Sequence, residues 1–371
     1  MNNKIIPISK PHVDKSDSTY VLDAVDSGWV SSLGPYIQQF EHDFSQKIAV
    51  RHCLSVGNGT VGLHLALAAL GIGVGDEVIV PDITFIATAN AVQYTGATPI
   101  FCDIKSSDLN MCADSFRDKI SDKTRAVILV HLYGRVADVG LISEIAKEKN
   151  IYLIEDCAEA LGGEYNGKPV GSFGDVSVFS FYGNKSITTG EGGMVCTQSE
   201  DLYKKAVKLR DHGMSTDKRY WHDEVGYNYR MTNMQAALGC SQLQKLSMIL
   251  RDRKRIYDLY KELLENNSDI QVLEASPNTE HAMWLFDIRI KSLANECDRE
   301  QLSTTLLKDF GIDTRPTFYP LTMMPMYLLE AGFCELSRST YHQGLCLPTY
   351  FGISDEDIRY IVSSLTEVLK G

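Results

Sequence analysis

The segment "GDVSVFSFYGNKSITTGEGGMVCT" (residues 174–197) contains two runs typical of β-strands, which enclose a glycine-rich turn with a single lysine. Around Lys185 it resembles the end of a phosphate-binding loop, whose pattern is G-x-x-x-x-G-K-[ST]. That pattern requires a glycine directly before the lysine, and here Asn184 intervenes. The spacing therefore excludes a nucleoside-triphosphate loop and leaves Lys185 as either a solvated surface charge or a nucleophile.

The totals restrict the class of protein. A length of 371 residues predicts a large domain with a smaller one. The formal net charge of -12, with a pI of about 5.2, argues against a general nucleic-acid-binding protein but leaves an anionic substrate possible. No run reaches the roughly 18 apolar residues of a membrane helix. The opening "MNNKIIPISKPHVDKSDS" has no apolar signal region, so we expect a cytoplasmic protein.

The nine cysteines are scattered singly, without a C-x-x-C pair. In a chain of this size, that pattern favours reduced core residues over a disulfide set or a zinc site. We therefore expect no metal.

Short β-rich runs alternate with helical stretches from about residue 50. The predicted strands are 52–56, 77–81, 98–103, 125–134, 151–158, 175–181 and 192–197, and the predicted helices are 59–71, 85–96 and 137–149. Nearly continuous apolar strands separated by helices predict an α/β fold with a mostly parallel sheet buried on both faces. A long helix (232–264) follows, and then 283–290, 298–309 and 354–369 predict a smaller α+β domain. We expect a large domain of residues 1–250 and a small domain of residues 251–371.

The first predicted strand runs into Gly57-Asn58-Gly59-Thr60, which opens a helix. Ligands of open α/β sheets bind beyond the carboxyl ends of the strands. Free N–H groups and the positive end of the helix dipole at this turn suit a phosphate. The dinucleotide fingerprint G-x-G-x-x-G is absent here, and an ordinary helix cap on Asn58 or Thr60 explains the same residues.

Acidic residues end the predicted strand "IYLIEDCA", where Glu155 and Asp156 are followed by Glu159. A carboxylate at the end of a buried strand is costly unless it is paired, so it indicates a salt bridge, a helix cap or a bound cation. Lys185 follows an aromatic run that would reduce its hydration and make its neutral, nucleophilic form accessible. A phosphate cup, a carboxylate for a ring nitrogen and an amine for an aldehyde together fit pyridoxal 5'-phosphate (PLP).

Longer motifs extend this interpretation. They are "NGTVGLHLAL", "GDEVIVPDITFIATANAVQYTGATPIFCDI", "VHLYG", "IEDCAEALGG", "GDVSVFSFYGNKSITTGEGGMV" and "VGYNYRMTNMQAALGCSQL". With flanking stretches from 27–41 to 315–327, they resemble the DegT/DnrJ/EryC1/StrS family of PLP-dependent aminotransferases, which act on nucleotide-linked keto sugars. The resemblance implies fold type I, with a seven-stranded mixed sheet in the large domain and a smaller C-terminal domain. It also implies a homodimer with shared active sites, L-glutamate as amino donor, and a product destined for O-antigen lipopolysaccharide or another surface glycan.

The resemblance also implies roles for individual residues. Lys185 matches the lysine that forms the Schiff base with PLP, and Asp156 matches the partner of the pyridine nitrogen. Phe85 matches the aromatic residue stacked on the cofactor ring, although a core position would explain it equally. Glu159 stands near the cofactor hydroxyl, where many relatives carry glutamine.

Four further matches concern the cofactor phosphate. Gly59, Thr60 and Ser180 match phosphate-binding positions. Asn228 matches a residue that reaches the phosphate from the neighbouring subunit, and a helix cap is its ordinary alternative.

The substrate side is less defined. The expected contacts with the sugar nucleotide are Trp29, Ser31, Arg315 and Tyr319, and the further basic candidates for its diphosphate are Lys218 and Arg219. Ordinary packing explains Trp29 equally well, and the basic residues are by default solvated surface charges. The chain departs from many relatives at Thr322, where they carry histidine.

Two rival functions remain open. The substrate could be a dTDP- or UDP-linked keto sugar, aminated at C4 or C3. Alternatively, the chain could be a catalytically silent relative that binds cofactor or sugar in order to regulate. The presence of Lys185, Asp156 and Ser180 argues against a silent protein. A dehydratase branch of the family carries histidine in place of the lysine, so Lys185 favours transamination.

Overall fold

The computed structural model describes residues 5–370, except residues 216, 275 and 329–333. Its strands are β1 (His52–Val56), β2 (Glu77–Pro81), β3 (Thr98–Cys102), β4 (Thr124–Val130), β5 (Tyr152–Asp156), β6 (Glu164–Tyr165), β7 (Lys168–Pro169), β8 (Val176–Ser180), β9 (Gly193–Thr197), β10 (Ile270–Val272), β11 (Thr279–Glu280), β12 (Phe286–Ile290), β13 (Arg315–Pro316) and β14 (Gly344–Leu347). Its helices are α1 (Lys15–Asp26), α2 (Pro35–Ile48), α3 (Gly59–Ala69), α4 (Ala87–Tyr94), α5 (Ala113–Asp118), α6 (Val139–Glu148), α7 (Glu200–Arg210), α8 (Asn233–Leu264), α9 (Glu296–Phe310), α10 (Glu335–Thr340) and α11 (Asp355–Lys370).

A seven-stranded mixed sheet forms the centre, in the order β1-β9-β8-β5-β4-β2-β3. The strands from β8 to β3 are parallel, whereas β9 runs antiparallel to both of its neighbours. Apolar side chains cover both faces: α3, α4 and α7 pack on one, and α2, α6 and the first part of α8 on the other. Because both faces are buried, the strands are continuous apolar runs rather than alternating ones.

The predicted sheet is confirmed. Strands β1 and β2 agree with the prediction residue for residue, and the other five lie within their predicted ranges or begin one residue earlier. The predicted strand 125–134 was too long at its end: β4 stops at Val130, because Tyr133 (φ 54°) and Gly134 (φ 88°) adopt left-handed backbone. The sequence pattern does not indicate α1, α2, α5 or α7.

A second, antiparallel sheet forms in the C-terminal part of the chain, in the order β10-β12-β14-β13. Its apolar cluster includes the end of α8, together with α9 and α11. A third small sheet pairs β11 with the hairpin of β6 and β7. The division at residue 250 falls inside the continuous helix α8 and stays a prediction.

Residues 6–9 connect the segment after α9 with the lysine turn, which is the glycine-rich turn around Lys185. Ile6 exchanges backbone hydrogen bonds with the segment after α9, donating to Gly311 O (2.8 Å) and accepting from Asp313 N (3.0 Å). The hydroxyl of Ser9 then donates to the carbonyl of Asn184 at 3.4 Å. The start of the described chain is therefore held by residues that come much later.

Two further features of the structure concern membrane-spanning helices and disulfide bonds. In the described ranges, no helix combines the length and the apolar character needed to cross a bilayer. All nine cysteines carry free thiols, and seven of them are buried.

A buried ion pair links the central sheet to the second sheet. The guanidinium of Arg135, shortly after β4, forms a bidentate pair with the carboxylate of Asp287 on β12, with one contact at 2.8 Å. Both side chains are at least 96% buried, and Arg135 Nε also donates to the carbonyl of Asp108 at 3.0 Å. Removing one partner of such a pair leaves an uncompensated buried charge.

Asp287→Ala is therefore expected to lower the free energy of unfolding by about 3–5 kcal/mol, measured by urea denaturation. The double variant Arg135→Met/Asp287→Leu, which removes both charges, should recover a large part of that loss. A single variant that costs less than about 1 kcal/mol would show that the pair does not hold the two sheets together.

Candidate active site

The candidate site lies at the carboxyl edge of the central sheet. Asp156 is the last residue of β5, Ser180 is the last residue of β8, and these two strands are parallel neighbours. Gly59 begins α3 directly after β1, whose carboxyl end points to the same edge. Neighbouring strands thus bring residues distant in sequence together, as expected for an open α/β sheet.

Asp156 carries a buried carboxylate that forms no ion pair with any of the described residues. Only 6% of the residue is exposed. Its Oδ2 accepts a hydrogen bond from the Thr88 hydroxyl (3.0 Å), and its Oδ1 accepts from the N–H of Ala158 (3.1 Å). Burial raises the pKa of the Asp156 carboxyl, against these hydrogen bonds and the charge of Lys185. In the part of the chain that the structure describes, no basic side chain forms an ion pair with it, so the site suits a bound cation such as a protonated ring nitrogen.

Lys185 contacts the second buried acid. Its Nζ lies 3.4 Å from Oε1 of Glu159, and the other oxygen of that carboxylate accepts a 2.7 Å hydrogen bond from the backbone N–H of Tyr133. Burial raises the pKa of Glu159, although the Lys185 charge and the Tyr133 N–H oppose the shift. Because the lysine charge acts on both acids, Lys185, Asp156 and Glu159 form one electrostatic unit.

The structure also places the residues expected at the phosphate end. A Cβ built on Gly59 would lie 3.1 Å from the Cβ of Ser180, so the two expected binders face each other across a space that a side chain would fill. Asn58 caps α3 by accepting from the N–H of Val61 at 3.0 Å. Gly59 and Thr60 are the first residues of the helix, where backbone N–H groups have no intrahelical acceptor. The site therefore offers donors for an anion.

Unpartnered polar atoms next to the lysine support the same fit. The hydroxyl of Ser186 and the side-chain carbonyl of Asn184 are buried without a hydrogen-bond partner in the described ranges. Buried polar atoms are usually paired, so these two are available to a bound group. The donor set as a whole fits PLP.

The expected cofactor-stacking and cross-subunit residues are exposed. Phe85 is 55% exposed, and its ring centroid lies 5.9 Å from that of Phe318. A core position for Phe85 is therefore wrong. Asn228 is exposed and forms a backbone bridge with Asp211, outside any helix start. The stacking and phosphate roles of these residues stay predictions.

The expected substrate residues lie in two regions. The exposed Trp29 and Ser31 precede α2, and their carbonyls accept hydrogen bonds from Asn233 at the start of α8 (2.8 and 2.6 Å). Arg315, on β13, is also exposed. Tyr319 is half-buried, and its hydroxyl accepts from Arg299 at 2.9 Å.

Lys218 and Arg219 lie on a third, exposed segment, each over a neighbouring aromatic ring.

Thr322 is a structural anchor in this chain. The residue is fully buried, and its N–H and hydroxyl donate to the two carboxylate oxygens of Asp82 at 2.8 and 3.1 Å. Burial raises the pKa of Asp82 to about 6, against these hydrogen bonds. Thr322 thus fastens the segment after β13 to the end of β2.

Two residues of the site were not predicted from the sequence. Trp284 places its ring 3.8 Å from Lys185 Nζ, and Tyr133 orients Glu159. The aromatic run before the lysine does not surround it, since Phe179 and Phe181 are buried in the core around α2. The motif "VHLYG" was the only signal for Tyr133, and none pointed to Trp284.

A buried trio of His131, Glu155 and Cys157 resembles a metal-binding cluster, because their donor atoms lie within 4.8 Å of one another. Its hydrogen bonds argue otherwise. The Nδ1 atom of His131 accepts from the N–H of Ala137 at 3.1 Å, so Nε2 carries the proton and donates to Glu155 at 3.2 Å. Glu155 also accepts from three backbone N–H groups. The ring nitrogens of His131 and the carboxylate of Glu155 are therefore already engaged in hydrogen bonds within the fold.

Comparison with known proteins gives the family. Residues 11–366 match the family model described as the DegT/DnrJ/EryC1/StrS aminotransferase family. The chain belongs to that family. It is 44% identical to proteins named GDP-perosamine synthase from Escherichia coli O157:H7 and from Vibrio cholerae, over 98% and 97% of this chain and 98% of each relative.

A solved structure agrees. The PLP form of a sugar aminotransferase from Streptococcus pneumoniae superposes with a TM-score of 0.93 at 29% identity, covering 99% of both chains. The expected fold, aminotransferase activity and PLP cofactor are thereby confirmed.

The buried carboxylate of Asp156 should affect how the stability of the cofactor-free protein depends on pH. Its folded-state pKa is raised, so the folded protein holds the proton more tightly, and stability falls as pH rises from about 4 through the folded-state pKa. Asp156→Asn removes this penalty. We expect the variant to be more stable than the wild type near pH 8 but little different near pH 4, by thermal unfolding without PLP.

With PLP present, the order should reverse if Asp156 is the ionic partner of the ring nitrogen, since the variant would lose that contact. The exposed acid at the end of α5 supplies the control, since Asp118→Asn should leave the pH dependence unchanged. A cofactor-free Asp156→Asn protein that is less stable than the wild type at pH 8 would contradict the argument.

Proposed function

We propose that the chain transfers an amino group from L-glutamate to C4 of GDP-4-keto-6-deoxymannose, forming GDP-perosamine. The observation that carries this proposal is the 44% identity to two proteins named GDP-perosamine synthase, over almost the whole of both chains. The sequence motifs also resemble those of these two enzymes. The buried unit of Lys185, Asp156 and Glu159 supplies the required chemistry.

Asp156 would keep the ring nitrogen of the cofactor protonated. When bound, PLP supplies an aldehyde carbon and a ring that withdraws electrons. At 4 Å and an effective dielectric constant near 20, a carboxylate attracts a positive ring nitrogen by about 4 kcal/mol. Thr88 and the Ala158 N–H hold the carboxylate for that contact.

Lys185 would act twice. Its Nζ would hold the cofactor aldehyde covalently. Once the amino donor has displaced it, the free Lys185 amine would move a proton as general base and general acid. Glu159, 3.4 Å away, restrains the amine between these tasks. The backbone N–H of Tyr133 fixes Glu159 in turn.

Gly59, Thr60 and Ser180 would bind the phosphate of the cofactor. In the proposed homodimer, Asn228 of the partner subunit would complete this cup. The exposure of both Asn228 and Phe85 in a single chain is consistent with such sharing. Trp29, Ser31 and Tyr319 would contact the sugar nucleotide.

The diphosphate of the substrate needs positive charge in spite of the overall charge of -12. Arg315 is the proposed partner, with Lys218 and Arg219 as further candidates. All three are exposed, so their positive charge is accessible to an anion.

Lys185→Ala should abolish turnover, by about 1,000-fold or more, and remove the visible absorbance of the lysine–cofactor linkage. Lys185→Arg is the control that keeps the charge and fills the space. It should retain PLP binding through the phosphate but show neither turnover nor the band. Near-normal turnover by Lys185→Ala would refute the assignment.

The substrate is tested by a panel of GDP-, dTDP- and UDP-linked 4-keto and 3-keto sugars, with L-glutamate as donor. We expect the highest kcat/KM with GDP-4-keto-6-deoxymannose. Higher kcat/KM with a dTDP- or UDP-sugar would replace the substrate and keep the reaction. A protein with no turnover on the panel, and no spectral change with glutamate, would instead favour the regulatory alternative.

A further inference from the structure

Trp284 contacts the lysine segment from two directions, although the two regions are 100 residues apart in sequence. The centroid of its ring lies 3.8 Å from Nζ of Lys185. Its indole N–H donates a 2.7 Å hydrogen bond to the backbone carbonyl of Asn184. One buried side chain therefore fixes both the backbone before the lysine and the amine at its tip.

Glu159 holds the amine from another direction, with 3.4 Å between Oε1 and Nζ. An ammonium group is attracted to the face of an indole ring as well as to a carboxylate. A lysine side chain has four flexible carbons and loses its contacts readily when it is unrestrained. The ring and Glu159 together keep the Lys185 amine in one position.

The backbone around Trp284 is held in an unusual conformation. Met283 has a left-handed φ of 52°, and the opposing turn at Tyr133 and Gly134 has φ values of 54° and 88°. The N–H of Ala282 donates to the Gly134 carbonyl at 3.0 Å. A Cβ on Gly134 would lie 2.7 Å from the backbone nitrogen of Trp284, so only glycine permits this approach. The Tyr133–Gly134 turn and the backbone at residues 282–284 therefore hold each other in place.

Arg253 anchors this arrangement from α8. Its guanidinium donates to the carbonyls of Met283, at 3.2 Å, and Trp284. Arg253 is 3% exposed, has no ion-pair partner among the residues that the structure describes, and has its pKa lowered to about 10 by burial. A buried cation without a counter-charge is unfavourable. In the described ranges, the hydrogen bonds of Arg253 go only to the carbonyls of Met283 and Trp284.

We propose that Trp284 is a positioning residue that holds the free amine of Lys185 for attack on the PLP aldehyde. Arg253 and the Tyr133–Gly134 turn act through it. The inference rests on the proposed role of Lys185. In the step that it assists, the Lys185 ammonium would first give one proton to Glu159, 3.4 Å away, and the lone pair of the resulting neutral amine would form a bond to the aldehyde carbon. The C=O bond becomes a C=N bond, and the oxygen leaves as water with the two amine protons.

The test mixes cofactor-free protein with PLP and follows the visible absorbance of the linkage. Trp284→Leu, which loses both the ring and the N–H, should slow the formation of the linkage by about tenfold. Trp284→Phe keeps a ring face and should lie between that variant and the wild type. Arg253→Met should shift the rate in the same direction by a smaller factor. The affinity for pyridoxamine phosphate, which has no aldehyde, should change by less than about twofold in all three.

Tyr260→Phe is the matched control. It deletes another buried side-chain hydrogen bond to a carbonyl, the 2.9 Å contact with Pro348, away from the lysine. It should capture PLP at the wild-type rate.

Wild-type capture by Trp284→Leu and Trp284→Phe would overturn the proposal, and so would an equal loss of PLP capture and pyridoxamine phosphate affinity. If the leucine variant does not fold, the phenylalanine variant decides. If the wild-type protein forms no absorbance band with PLP, the role of Lys185 and this proposal both fail. If the wild type forms the band normally, the role of Lys185 stands and the variants test Trp284 alone.

Discussion

The carboxylates of Asp156 and Glu159 and the amine of Lys185 lie close together in a buried region, and the function of the protein depends on their electrostatic balance. Burying a carboxylate is unfavourable unless it is neutralised or hydrogen-bonded. Glu159 is compensated within the chain by Lys185 and by a backbone N–H, whereas the contacts of Asp156 among the described residues are two hydrogen bonds, from Thr88 and Ala158. The empty protein therefore bears the cost of a buried carboxylate, which the proposed contact with a cationic cofactor ring would remove. Affinity for the cofactor and stability of the empty protein oppose each other at this residue.

The sheet and the chemical residues could be predicted because they depend on local sequence. Continuous apolar runs indicate buried parallel strands, and acidic or glycine residues directly after them indicate a site at the carboxyl edge. The position of Lys185 after β8 follows from the same rule. Together, the glycine-rich turn, the carboxylate and the lysine indicated the cofactor, and the family motifs agreed.

The surroundings of the amine could not be predicted because they depend on tertiary contacts. Trp284 donates to the carbonyl of Asn184, 100 residues away in sequence, and the residue before it, Met283, has left-handed backbone that no composition rule indicates. The aromatic residues that precede the lysine in sequence were a misleading signal, since strand alternation directs Phe179 and Phe181 into the core. Likewise, Thr322 occupies a position that many relatives give to histidine, and only the structure shows it bound to Asp82.

The segment of residues 6–9 has a consequence for how the chain assembles. Its partners lie far along the sequence: Ile8 donates to the carboxylate of Asp313, 305 residues away, and accepts from the N–H of Thr349. Contacts of such long separation form late, because a large loop must close first. During synthesis, the ribosome releases residues 6–9 before their partners exist. The lysine turn therefore gains the Ser9 contact in its final position only after Asp313 and Thr349, the partners of Ile8, have been translated.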